Sequence, residues 1–466
     1  MDKSAFQPFL KVLTADNILT GTMFLGLFAM VMFFIKNDEL PILFVLFFYT
    51  SGIQRYSLVK AGASRWVAVA YSKNIFNLND ELGLQALNYF FLGTLVITLS
   101  YALFAFYRKP PGTFYDDKIT LLYFLKQNQA VIITGFVLIA SVSFYAKRAF
   151  VNSFMASGGG IALGGSYYIM IGFGLGGVIP LMYLIFRSFE LKTQFIPKIA
   201  IGAIMAFAAS LTYSSSGRFQ FISWAITIGI VLVGDSNPFY KLRIYLLGGL
   251  AISLAFGLAG VSRRVDTTKM GNFEKLSAAW QRNKSTEDAT MLDGFMMVLQ
   301  VYPQHLNYHY GTEHLEILYR PIPRSIWPDK PLGGYANKLG LNDNMGGGSV
   351  GISQSLYGTF YGEGGLMGIV VFCVLYAFTI NLIIKNSLNF NSDTRHLIKG
   401  ATIASIIPLL RGGDLPGIYA FIGMSFWPII FFVSRYKDFS KKIMFQRRNF
   451  LFNRTSPEKK EEEIYV

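Results

Sequence analysis

Cysteine is almost missing from this chain: Cys373 is the only one among 466 residues. One thiol cannot close an intrachain disulfide and offers no cysteine cluster to a metal. Charge is scarce too, at 15% of residues, where a soluble domain carries about 25%. Acid is the scarcer sign: 27 Asp and Glu stand against 42 Lys and Arg, for a net charge of +15. Histidine occurs four times, and no His-Glu-x-x-His run is present. The glycine-rich stretch 342–353 lacks the Gly-x-x-x-x-Gly-Lys-Ser/Thr pattern, which excludes a nucleotide phosphate loop there. No cleavable signal peptide is expected, because the first apolar run, 18–35, is long enough to span and has no small-residue cleavage site. No repeat of solenoid period occurs.

Apolar residues are abundant: 52% of the chain is hydrophobic, with 43 Phe. A span needs about 20 mostly apolar residues. Candidate runs lie at 18–35, 40–53, 86–107, 130–145, 167–186, 196–213, 219–233, 244–261, 366–384, 397–410 and 417–433. The expected fold is an all-α polytopic membrane protein with about 11 transmembrane helices, within about 10–12. Eight spans fill 1–261, one large polar loop fills 262–364, three spans fill 365–434, and a basic tail closes the chain at 435–466. Within the loop, 272–280 and 290–300 are expected as short helices lying over the membrane, with Met291, Phe295, Met296, Val298 and Leu299 on a buried face. The polar interval 54–85, with Arg55 and Lys60, is expected outside the second span.

Loop charge sets orientation. With the basic tail inside, the loops 385–396, 234–243, 187–198 and 108–118 are also inside, and each carries Lys or Arg. The positive charge therefore needs no nucleic acid partner. The large loop, Arg218 and Arg411 then share the outer face, with the amino terminus outside.

The most distinctive stretch of that loop is Arg320-Pro321-Ile322-Pro323-Arg324-Ser325-Ile326-Trp327-Pro328-Asp329-Lys330-Pro331. Its prolines fix φ and remove N–H donors, so it is neither a regular helix nor a central strand. It is either a rigid connection with solvated charges or a stiff holder of cations for an anion. Arg218 ends the run Ser214-Ser215-Ser216-Gly217 at a tight turn between spans. It either snorkels to headgroups or joins hydroxyls and N–H groups in an anion pocket. Arg263 and Arg264 meet either a lipid headgroup or a substrate. His305, His309 and His314, with Glu313 nearby, admit packing, sugar or acid–base contact, and a metal reading that Pro303 and Gly311 weaken by interrupting the helix. Glu363 is expected to start the next span, where the helix dipole favours a carboxylate or where it serves as an acid–base residue. Asp414 either pairs with Arg411 or joins it on a ligand.

In order, these features resemble the Wzy-type oligosaccharide repeat-unit polymerases, which include the O-antigen and enterobacterial common antigen polymerases. Three places carry the resemblance: Ser215-Ser216-Gly217-Arg218, the Ile322–Pro331 stretch, and Leu410-Arg411-Gly412-Gly413-Asp414. It covers roughly the half of the chain from Ile196 to Phe432. The resemblance implies a GT-C-like glycosyltransferase of the bacterial inner membrane with a periplasmic active site. It would join undecaprenyl-pyrophosphate-linked oligosaccharides, as donor and acceptor, using no nucleotide, metal or other cofactor. Membrane lipids and a chain-length regulator protein are the other expected partners. Arg218, Arg324, Lys330 and Arg411, then Arg320 and Arg264, would bind pyrophosphate. His305, Glu313, His314, Glu363 and Asp414 are candidates for the base. The rival readings are an O-antigen ligase-like transferase and a flippase or transporter of lipid-linked oligosaccharide. Mid-membrane charges and inverted repeats, which mark transporters, are not seen.

Overall fold

The structure is a computed structural model, and it describes residues 13–67, 76–108, 118–156, 172–188, 195–212, 218–261, 270–284, 290–319, 322, 326, 327, 329, 353–413 and 415–455. The described residues are almost entirely helical, with no strand among them. In chain order the helices are α1 Ala15–Lys36, α2 Leu40–Lys60, α3 Asp80–Phe106, α4 Lys118–Ala156, α5 Leu175–Ser188, α6 Phe195–Thr212, α7 Arg218–Val233 and α8 Pro238–Val261. Then come α9 Asn272–Lys284, α10 Met291–Val301, α11 Thr312–Tyr319, α12 Ser355–Ser387, α13 Ser392–Arg411 and α14 Leu415–Thr455. Seven of these, α1, α2, α3, α4, α8, α12 and α14, are long and apolar enough to cross a membrane. The protein is thus a helical polytopic membrane protein. Helices α5, α6 and α7 are shorter apolar helices. Each of the apolar runs read from sequence falls on a helix, apart from the part of 167–186 that precedes residue 172 and Tyr213, which are not described.

Two large apolar cores hold the bundle, with a small third cluster of Leu25, Ala29 and Val45 between α1 and α2. One gathers α1, α2, α3, α10 and α12. The other gathers α4, α5, α6 and α14, and both draw on α7 and α13. Helices α7 and α13 pack antiparallel, with Gly400 against Thr227 and His396 against Gly234. That pairing brings the start of α7 level with the end of α13.

Two expectations change here. The second span does not stop at Ile53: it passes through a π turn, Tyr49–Ile53, and continues helical to Lys60. Arg55 is therefore inside the bundle rather than in a loop. Its guanidinium meets Asp293 at 2.9 and 2.8 Å, Ser64 Oγ at 2.6 Å and the Arg65 carbonyl at 2.6 Å. A buried charge is tolerable only when paired and hydrogen-bonded, and this pairing draws α10 inward.

The second change follows from the first. Helix α10 does not lie over the bundle; all its sides are covered, and Asp293 is fully buried. Phe295 packs on Phe90 of α3, with ring centroids 6.4 Å apart. Phe90 lies ten residues inside α3, about 15 Å along its axis. The sequence expectation treated apolar residues on one face as a sign of a surface helix. A helix apolar all round is instead a core helix.

Helix α12 is also not one rod. Gly364 and Gly365 break it, with Gly365 at φ 64°, a left-handed conformation that glycine adopts without strain. Residues 355–363 then fold back along 366–387. Phe360 and Tyr376 are ring neighbours at 4.8 Å, whereas sixteen residues of straight helix would separate them by about 24 Å. Tyr357 seats against Gly93, near the middle of α3. Ser355, at the start of the folded-back segment, touches Gly412 at the end of α13.

The end of the bundle holding the α1–α2 turn is tied by charge. Glu39 meets Lys399, Lys241 at 3.6 Å and the Tyr245 hydroxyl at 2.9 Å. Asp38 accepts from Tyr101 at 2.7 Å and faces Arg108 at 3.6 Å, while Arg108 reaches Asn381 at 2.9 Å. Burial pushes the Glu39 carboxyl up, but Lys399, Lys241 and the Tyr245 hydroxyl outweigh it and hold the pKa below its ordinary value. At the other terminus of the chain, α14 carries the basic tail onward as helix to Thr455.

Candidate functional site

The fold-back in α12 builds a site at the opposite end of the bundle. Glu363 closes the segment 355–363 rather than opening the next span, which corrects the expected placement at a helix amino terminus. The break at Gly364–Gly365 is the reason: the second segment starts beyond it. The carboxylate therefore stands at the negative end of one helix dipole and needs donors. It is 1% exposed, and two donors from the start of α11 meet it.

Those donors come from residues 309–314. His309 N–H donates to the Gly362 carbonyl at 3.0 Å and Tyr310 N–H to the Glu363 carbonyl at 2.8 Å, capping the last turn. Tyr310 and Gly311 take positive φ, 48° and 89°, so the chain turns in to let Gly311 N–H reach Glu363 Oε2 at 2.5 Å. One turn later His314 Nδ1 lies 2.8 Å from Glu363 Oε1. A carboxylate only accepts, so Nδ1 carries the proton, and Nε2 is the ring nitrogen left to face a hydroxyl. Nε2 is 3.1 Å from the Tyr376 hydroxyl, which in turn contacts the Tyr419 hydroxyl of α14. The imidazole is stacked on Phe372 at 4.4 Å and 7°. Rings on that face fix its plane, while Glu363 fixes its tautomer. This is the carboxylate–imidazole–hydroxyl arrangement that general-base chemistry uses.

A tyrosine cluster adjoins the pair. Tyr302 stacks on Tyr308 at 6.2 Å, Tyr308 meets Tyr361 at 6.1 Å, and Tyr361 stacks on Tyr89 at 5.8 Å. His309 Nε2 bonds the Tyr302 hydroxyl at 2.6 Å. Burial pushes the Tyr308 phenol above its ordinary value, so it stays a neutral donor. Aromatic faces with hydroxyl rims suit sugar rings, which have apolar faces and polar edges.

The expected residues distribute as follows. His314 and Glu363 are joined. Glu313, next to His314 in the chain, is buried as well. His305 sits in an exposed turn after α10, with no side-chain hydrogen bond among the described residues. His305, His309 and His314 share no helical face, and among the described residues no three His, Cys, Asp or Glu side chains are grouped to hold a metal. Arg411 ends α13, half-buried, and the adjacent Gly412 touches Ser355, eight residues or about 12 Å of helix from Glu363. Arg218 begins α7 at the same end of the bundle, and its side chain lies outside the described residues. Arg264, Arg320, Arg324, Lys330 and Asp414 also lie outside them. Of the proline-rich stretch, Trp327 packs on Tyr319 of α11 at 5.6 Å.

Sequence reasoning missed Tyr376 and Tyr419. A signal existed: a phenol inside an apolar run needs a hydrogen-bond partner. No protein-family model, no curated protein and no solved structure matches this chain.

Proposed function

We propose that this chain is a membrane glycosyltransferase that polymerises undecaprenyl-pyrophosphate-linked oligosaccharide units on the periplasmic face of the bacterial inner membrane. One observation carries the reading: the pair of buried Glu363 and half-buried His314, oriented toward a hydroxyl and bordered by stacked tyrosines at one end of a helical membrane bundle. The reading takes eleven spans in a GT-C-like arrangement, with this end outward. The acceptor hydroxyl takes the position now held by Tyr376 Oη and gives its proton to His314 Nε2. Its oxygen bonds to the anomeric carbon of the donor as the bond from that carbon to the pyrophosphate oxygen breaks. Glu363 stabilises the imidazolium, and the lipid pyrophosphate leaves with the bond electrons. Arg411, Arg218, Arg324 and Lys330, with Arg320 and Arg264, are the proposed cations for that charge, since fixed donors aimed at developing charge stabilise a transition state.

The test uses purified full-length protein with lipid-linked repeat units and no nucleotide, with products resolved on a gel. A ladder of lengths is expected. Transfer of one block to a lipid A core would make it a ligase, and flipping without transfer would make it a transporter; either result overturns the polymerase reading.

A further inference from the structure

The two ring nitrogens of His314 are held differently. Nδ1 is fixed on Glu363, and Phe372 stacks on the ring at 4.4 Å. At Nε2 the only partner among the described residues is the Tyr376 hydroxyl, at 3.1 Å, which the Tyr419 hydroxyl of α14 backs. Both phenols also line a groove between α12, α13 and α14. Its volume of about 670 Å³ is about twenty times the roughly 30 Å³ that a water takes in the liquid, ample for a phenol ring. Thr402 and Ser405 face it from α13. Each gives its hydroxyl proton to its own helix, Thr402 to the Ile398 carbonyl at 2.8 Å and Ser405 to the Ala401 carbonyl at 2.7 Å. Their oxygens keep lone pairs that can accept from a phenol. A tyrosine that leaves His314 therefore has both room and the hydrogen-bond partner that a buried phenol needs.

We propose that Tyr376, backed by Tyr419, is a gate that selects sugar over water: it covers His314 Nε2 until an acceptor sugar binds, then swings into the groove. The inference rests on the glycosyltransferase reading for the donor and the acceptor. A donor open to attack by a sugar hydroxyl is open to water as well, and keeping water out is how a closed site suppresses hydrolysis. In the unwanted reaction a water oxygen bonds to the anomeric carbon and the water proton passes to His314 Nε2. The lipid pyrophosphate leaves with the electrons of the broken carbon–oxygen bond. Only the nucleophile differs from transfer, so selection has to act on what reaches Nε2. The Tyr376 hydroxyl occupies that place.

Opening needs a ligand that favours the open state, because a ligand shifts an equilibrium only by its differential affinity for the two states. A sugar ring has that advantage. It can stack on the neighbouring tyrosines, Tyr308 and Tyr361 among them, and so offset the lost Tyr376–His314 contact. A single water brings its own hydroxyl and nothing more. The division of labour is therefore between a fixed imidazole, clamped by Glu363 and Phe372, and a phenol with a second place to go.

The experiment uses the full-length protein in nanodiscs and has two arms. The first needs no turnover. Diethyl pyrocarbonate acylates histidine nitrogens, and mass spectrometry maps the product on each histidine. His305 lies in an exposed turn and serves as the fast reference. The His314 side chain is 20% exposed, so the reagent can approach its ring. Wild-type His314 should react slowly. Tyr376→Phe keeps the ring and removes the hydroxyl, and should speed acylation of His314 about tenfold, the weight of one hydrogen bond. Tyr419→Phe should give a smaller gain in the same direction. Wild-type His314 that reacts as fast as His305, or a rate indifferent to Tyr376→Phe, overturns the cap. The second arm supplies lipid-linked repeat units and compares free oligosaccharide with polymer. Tyr376→Phe should raise the ratio of hydrolysis to transfer about tenfold by the same weight, and Ser405→Phe, which fills the groove, should slow transfer while His314 stays protected. An unchanged ratio, or full transfer with the groove filled, overturns the gate. Wild-type protein that neither transfers nor hydrolyses sinks the glycosyltransferase reading instead, and the acylation arm still decides whether Tyr376 caps His314.

Discussion

Glu39 and Glu363 are both buried carboxylates at helix ends, one at each end of the bundle. Glu39 faces the ammonium groups of Lys399 and Lys241. Glu363 faces an imidazole and a backbone N–H. The first arrangement ties the α1–α2 turn to α8 and α13. The second pairs the carboxylate with an imidazole whose other ring nitrogen faces a hydroxyl. Arg55–Asp293 belongs with the first kind: a fixed cation, bidentate and fully covered. The contrast separates charges that hold the fold from charges that can do chemistry.

That contrast can be broken most sharply at His314. On the proposed function, with His314 as general base, His314→Ala should lower the rate of glycosyl transfer about 10²–10⁴-fold, while thermal unfolding in detergent stays close to wild type. An unfolded variant, or one with full activity, would make His314 another structural residue. Next in size, Arg55→Ala should destabilise the fold by about 3–5 kcal/mol, because Asp293 is left buried without its cation. Unfolding midpoints measure it, and pairing the change with Asp293→Asn should recover part of the loss.

A smaller effect is the acid response of the α1–α2 turn. The folded pKa of Glu39 lies below its ordinary value of 4.5. Its pairing therefore contributes fully above that value and is lost as pH falls through it toward the folded value. Stability followed down to pH 3 should drop in this window, and Glu39→Gln should flatten the drop. Last, His305→Ala should shift activity and stability by no more than about 0.5 kcal/mol, as for exposed surface sites. A large loss there would move the acid–base centre away from Glu363.

The long apolar helices were legible because hydrocarbon demands long apolar runs: 18–35 maps onto Ala15–Lys36 with few residues to spare, and seven helices among the described residues are long and apolar enough to cross a membrane. Where helices turn back was less so. Glu363 and His314 were both candidates by residue type, yet nothing local says that they touch. They are 49 residues apart, and the two glycines that let 355–363 fold back decide it. Helix α10 misled for a related reason. Its periodicity allows a buried face, but its full burial depends on Asp293 finding Arg55, 238 residues away. Tyr376 and Tyr419 were passed over because tyrosine in a membrane chain is ordinarily an interface anchor.

The glycine break has a mechanical consequence. Residues 366–387 form a rod of 22 residues, about 33 Å long. If that rod tilts by about 10°, its distant tip swings by about 6 Å, yet the end next to Gly365 hardly moves. Glu363 sits at this pivot. The far end is held by Arg108 on Asn381 and by the burial of Ile384 and Ser387, so any such swing is restrained there while the carboxylate keeps its grip on the imidazole.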